Sequence, residues 1–135
     1  MSDTPPCTPP QIGEFSWNEL NTANPAAAGE FYRQLFGWQI VPLDRPDAPP
    51  YVIFKNDTKP MGVGGMMQAP QPGIPSHWMP YVVVADADVS LAKAVELGAK
   101  VCLPVMPIPG VGRIACLMDP QGAVIGLHEL PKPGV

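Results

Sequence analysis

WNELNTANPAAAGEFYRQLFGW, residues 17–38, decides the fold. Its opening continues a strand-like run from Phe15 to Leu20, after which Asn24 offers a side-chain cap and Pro25 stands at a first helical position. Ala28, Phe31, Tyr32 and Leu35 recur at spacings of three and four, which predicts a helix with one apolar face. Gly37 is placed to stop it. Outward from this unit, strands are expected over Trp38–Leu43, Tyr51–Lys55 and Met61–Met67.

The same order then returns. Met79–Val84 reads as a strand, Asp86 or Asp88 as a cap, Val89–Leu97 as a helix stopped by Gly98, and Lys100–Val105, Arg113–Met118 and Ala123–Leu130 as three more strands. An offset of 62 relates Trp17 to Met79, Asn24 to Asp86, Tyr51 to Arg113, Asp57 to Asp119 and Gly64 to Gly126, and only Gly37 and Gly98 break step, at 61. The chain reads as a duplicated βαβββ module. Residues 1–13 are expected to be an extended proline-rich tail and residues 14–135 a single domain, with modules at about 14–67 and 77–130 and a linker at 68–76.

Composition limits the alternatives. The chain has 135 residues, 46% apolar and 15% charged, with 20 prolines, about three times ordinary usage. Prolines at that density mark turns and strand ends, which argues against an all-helical bundle. A net charge of −4 without a basic cluster argues against nucleic acid, and no apolar run is long enough to span a bilayer. The N-terminus lacks a secretory pattern, so no membrane partner and a cytoplasmic location are expected. Cys7, Cys102 and Cys116 lack the pairing that would hold zinc and read as free thiols.

The run Glu19–Asn24 leading to Phe31-Tyr32 and Leu35-Phe36-Gly37-Trp38, with Asp119-Pro120-Gln121-Gly122 before the last strand, resembles the vicinal oxygen chelate superfamily of glyoxalase I, bleomycin- and fosfomycin-resistance proteins and extradiol dioxygenases. The resemblance spans about residues 14–130. It implies an α+β fold in which two tandem modules curl a mixed sheet into a cupped, barrel-like cavity with the helices outside. It also implies a homodimer, an expectation that open sheet edges support. Enzymes of the superfamily hold a divalent metal on first- and last-strand side chains of each module. Here those positions fall on Trp17, Gly64, Met79 and Gly126, none of which is a ligand for a hard cation, so neither a metal nor another cofactor is expected.

Strand alternation, set in the family's register, turns Trp17, Glu19, Asn21, Met79, Tyr81 and Val83 into the cup. Ile114, Cys116 and Met118 form an apolar alternate set suited to the helix layer, which turns Arg113, Ala115 and Leu117 inward, with Tyr51 and Ile53 following by the repeat and Gly126 and His128 in the last strand. The expected ligand-binding set is therefore Trp17, Glu19, Tyr51, Met79, Tyr81, Arg113 and Gly126. Glu19 and His128 are the candidate catalytic residues, because a carboxylate in an apolar cup can take a proton and an imidazole can shuttle one. Also open are an ion pair of Glu19 with Arg113 and a solvated His128 at a strand end. The expected function is metal-independent binding of a small-molecule ligand, with a glyoxalase-like lyase or isomerase using Glu19 as base, or an interaction protein with a vestigial pocket, as alternatives.

Overall fold

A computed structural model describes residues 9–43, 50–69 and 73–132, apart from the side chains of Pro60 and Met61. Residues 1–8 of the expected tail, Cys7 included, and Pro70–Pro72 of the expected linker lie outside the described residues. The rest of the tail is tied down, since Gly13 N–H donates to the Val83 carbonyl at 2.9 Å.

The elements are β1 (Phe15–Thr22), α1 (Pro25–Phe36), β2 (Gln39–Leu43), β3 (Tyr51–Asn56), β4 (Lys59–Gln68), β5 (His77–Val83), α2 (Ala87–Glu96), β6 (Lys100–Ile108), β7 (Gly112–Met118) and β8 (Val124–Glu129). This is the repeated βαβββ order. The caps fall where the sequence puts them: Asn24 accepts from Ala27 N, Asp86 accepts from Val89 N, and Gly37 closes α1 in the left-handed conformation at φ 75°. The eight strands among the described residues form one curled mixed sheet in the order β2-β3-β4-β1-β5-β8-β7-β6. Each module closes its own half through a parallel pair, β1 with β4 and β5 with β8, and the halves join where β1 and β5 run antiparallel.

The apolar side chains sort into three clusters. Leu20, Phe54 and Met66 pack under α1, and Ala115, Leu117 and Leu127 pack under α2 with Leu91 and Ala94. The third cluster fills the concave face with Trp17, Tyr51, Ile53, Met67, Met79, Tyr81, Ile114 and Cys116.

Two expectations are corrected. On α1 the contact line runs through Ala28, Gly29 and Tyr32, because Gly29 lacks a side chain and faces Met66 and Ile40. Phe31 and Leu35 sit on its flank, both more than half exposed. The larger correction concerns β7. The β3–β4 hairpin pairs Ile53 with Gly65, and the β7–β8 hairpin pairs Ala115 with Leu127, both members 62 further on. The hairpin's own register is thus preserved. Against the central strands, however, Glu19 pairs with Gly65 while Tyr81, 62 positions later, pairs with Gly126 rather than Leu127. The second hairpin has slid one residue along β5, and a slip of one turns every β7 side chain to the other face. Ile114 and Cys116 enter the cup, while Ala115, Leu117 and Arg113 face the helix side.

Candidate functional site

Glu19 lies at the centre of the concave face, fully buried on β1. Its neighbours come from the pairing of β1 with β5, which sets Glu19 opposite Met79 and Trp17 opposite Tyr81. Alternation then puts all four side chains on one side of the sheet. The Tyr81 hydroxyl donates to Glu19 Oε2 at 2.6 Å, and Asn21 Nδ2 donates to the same oxygen at 3.3 Å. Burial first, and the Glu19 charge second, push the Tyr81 phenol far above its ordinary pKa. Tyr81 is therefore a neutral donor facing an acceptor carboxylate. Beside this pair, Trp17 Nε1 donates to the Tyr51 hydroxyl at 3.0 Å.

The tyrosines occupy the room that glycines leave. A Cβ on Gly65 would lie 2.1 Å from the Tyr51 hydroxyl oxygen, and one on Gly126 would lie 2.3 Å from Cδ2 of Tyr81. The one-residue slide makes Gly65, not Gly64, the partner of Gly126 in the repeat, so the positions at which the resemblance would place a metal become Trp17, Gly65, Met79 and Gly126. An indole, a thioether and two glycines do not fit a hard divalent cation. Among the described residues, no three His, Cys, Asp or Glu side chains converge to hold a metal.

His128 is buried at one end of the same face rather than solvated at a strand end. Its Nε2 lies 2.5 Å from the Val111 carbonyl oxygen, which can only accept, so Nε2 carries the hydrogen. The other nitrogen, Nδ1, is left to accept from the Ser16 hydroxyl at 2.7 Å. Ser16 is brought there by a register shift between Phe15 and Trp17, a bulge that the sequence does not announce. Desolvation lowers the His128 pKa, against the smaller upward pull of the Val111 carbonyl.

Trp17, Glu19, Tyr51, Met79, Tyr81 and Gly126 are thus brought together on the concave face, with His128 at its end. Arg113 is not. Its guanidinium bonds Asp88, beside the N-terminus of α2, and Glu129 at 3.1 Å, and Glu129 in turn accepts from Ala87 N at 2.9 Å. Arg113 fastens α2 to β7 and β8 and cannot be the partner of Glu19.

The family described as a glyoxalase-like domain matches residues 18–128. Among curated proteins, the "Putative glyoxylase CFP32" of Mycobacterium tuberculosis is 39% identical over 124 residues, covering 91% of this chain and 46% of that protein. The "Anthracycline biosynthesis protein DnrV" of Streptomyces peucetius is 29% identical over 127 residues, covering 85% of this chain and 46% of that one. The chain spans about half the length of these curated relatives. Among solved structures, methylmalonyl-CoA epimerase of Streptomyces coelicolor superposes with a TM-score of 0.61 at 16% identity, covering 90% of this chain and all of that one. An extradiol ring-cleaving dioxygenase from B. fuscum gives 0.60 at 16% identity, over 95% of this chain and 35% of that one. At these identities the likeness is one of fold. No helix among the described residues is long and apolar enough to cross a membrane.

Proposed function

Since the chain belongs to the glyoxalase-like domain family, within the vicinal oxygen chelate superfamily, we propose that it binds a small molecule on the concave face of its sheet without a metal. The observation that carries this reading is the buried Glu19–Tyr81 hydrogen bond at the centre of an otherwise apolar cup. A few convergent polar groups in an apolar concavity fix the orientation of a ligand whose affinity comes from buried area. Trp17, Tyr51 and Met79 supply that area, and Gly65 and Gly126 make room for the two tyrosines. The epimerase, dioxygenase and biosynthetic relatives, whose names point to small organic molecules, agree with such a ligand class.

A lyase or isomerase is the second reading, favoured by the same 2.6 Å contact between a carboxylate and a phenol. It is the weaker one. Removing a proton beside a carbonyl builds an enolate that needs a cation or several donors, and Arg113 faces α2 instead. The active form is a homodimer in this proposal, because among the described residues β2 and β6 are open sheet edges and Phe31, Leu35 and Phe36 expose apolar surface on α1.

Native mass spectrometry of protein purified from the cells that make it, with elemental analysis after dialysis, tests the whole reading. Two chains carrying an organic molecule and no stoichiometric divalent metal are expected, with the molecule lost from Glu19→Gln. One metal per chain would overturn metal independence, and protein recovered empty from its own cells would overturn the binding reading. Disappearance of the copurified molecule on incubation with fresh protein would favour the enzyme.

A further inference from the structure

Two of the three cysteines meet in the wall of the cup. β6 and β7 pair antiparallel, with Val101 opposite Leu117 and Leu103 opposite Cys116, and the register shifts between Val101 and Leu103. Cys102 is the residue left over by that shift. In a bulge the extra residue and the one after it oppose a single partner, so Cys102 and Leu103 both stand across from Cys116. The two thiols are electrostatic neighbours, since Cys102 helps to raise the Cys116 pKa, and Cys116 Sγ also lies 3.3 Å from Met79 Sδ. Both are reduced, one exposed and one buried. Neighbouring antiparallel strands hold their Cα atoms about 4.5 to 5.5 Å apart, inside the span a disulfide bridges.

We propose that Cys102 and Cys116 form a redox modification site that closes into a disulfide between β6 and β7. A small disulfide such as oxidised glutathione is the electron acceptor. The Cys102 thiolate attacks one of its sulfurs, breaking that S–S bond, leaving a mixed disulfide on Cys102 and expelling one glutathione thiolate. Cys116 then gives its proton to solvent and attacks the Cys102 sulfur, forming the protein disulfide and expelling the second glutathione. Two electrons pass from the protein to the oxidant, and both glutathione thiolates pick up protons from water.

The two cysteines divide the work by position. Cys102 is exposed and meets the oxidant. Cys116 belongs to the cluster that holds Trp17, Met79 and Tyr81, and burial first, with Cys102 and the Glu19 charge behind it, pushes its thiol up to about 12. Closure draws on the Cys116 thiolate and so quickens with pH, about tenfold per unit below that value. The bridge would form against Met79, so oxidation reports directly into the cup.

The test uses the full chain with Cys7→Ser, treated with oxidised glutathione between pH 7 and 9, alkylated, digested without reduction and mapped by mass spectrometry. A Cys102–Cys116 linked peptide is expected, reversed by dithiothreitol. Its formation should follow glutathionylation of Cys102 and accelerate about tenfold per pH unit. Cys116→Ser should stop at the mixed disulfide on Cys102, and Cys102→Ser should leave Cys116 unmodified. Wild-type-like protein that accumulates glutathione on Cys102, with Cys116 alkylated and no linked peptide at pH 9, would overturn the proposal. That reading needs only the Cys7→Ser protein and holds whether or not a Cys116 variant folds.

Discussion

His128 is a residue whose protonation the surrounding fold opposes. Both ring nitrogens are engaged, one donating to Val111 and one accepting from Ser16, and burial depresses the folded-state pKa below the unfolded value of about 6.5. Above about pH 6.5 both states hold a neutral ring and the contribution to stability is complete. As pH falls, the unfolded chain takes up the proton first, so stability declines until the folded-state pKa is passed. Urea unfolding of the wild type from pH 8 to pH 5 should show this decline, and His128→Gln, which keeps a donor but does not titrate, should show a shallower one. Parallel profiles for the two proteins would mean that His128 is solvated. Nothing in the sequence around Leu127-His128-Glu129 signals its two partners, because Ser16 reaches the ring only through a bulge and Val111 through a turn.

Among the elements, the strands nearest the centre were the most legible. β1 and β5 show Trp17, Glu19, Met79 and Tyr81 on the concave side as alternation requires, and Leu20 on the other. The helix caps were equally plain, since Asn24-Pro25, Asp86 and Gly37 are local signals that do not depend on how sheets pack. The face of β7 could not be read. Both arms of the β7–β8 hairpin keep the 62-residue offset, so a slide of the whole hairpin along β5 leaves the spacing of the sequence untouched. Arg113 shows what that costs: its match to Tyr51 is real in sequence, yet it holds α2 rather than a ligand. Leu20 tests the layer that was legible. It is 4% exposed between Phe54, Met66 and the α1 residues Ala28 and Tyr32. Leu20→Ala should lose about 2 to 5 kcal/mol of folding stability by opening a cavity between sheet and helix. Its m-value should stay unchanged. A loss below about 1 kcal/mol would mean that α1 collapses onto the gap or was never tightly seated.

Taken whole, the molecule is two half-sheets held by one seam, β1 against β5, with each seam strand covered on its far side by the parallel partner that closes its own module. Among the described residues, the outer strands β2 and β6 have a neighbour on one side only. That arrangement also orders events in time. In deuterated water the amide protons of β2 and β6 can exchange by local fraying, whereas those donated across the seam, around Glu19 and Met79, are released only when both modules part. Exchange followed strand by strand should therefore run inward from both rims, with β1 and β5 the last to give up their protons and their rates falling together at the value set by global unfolding. A β5 that exchanged as early as β6 would mean that the modules separate before either unfolds, and that the protein spends part of its life as two open halves.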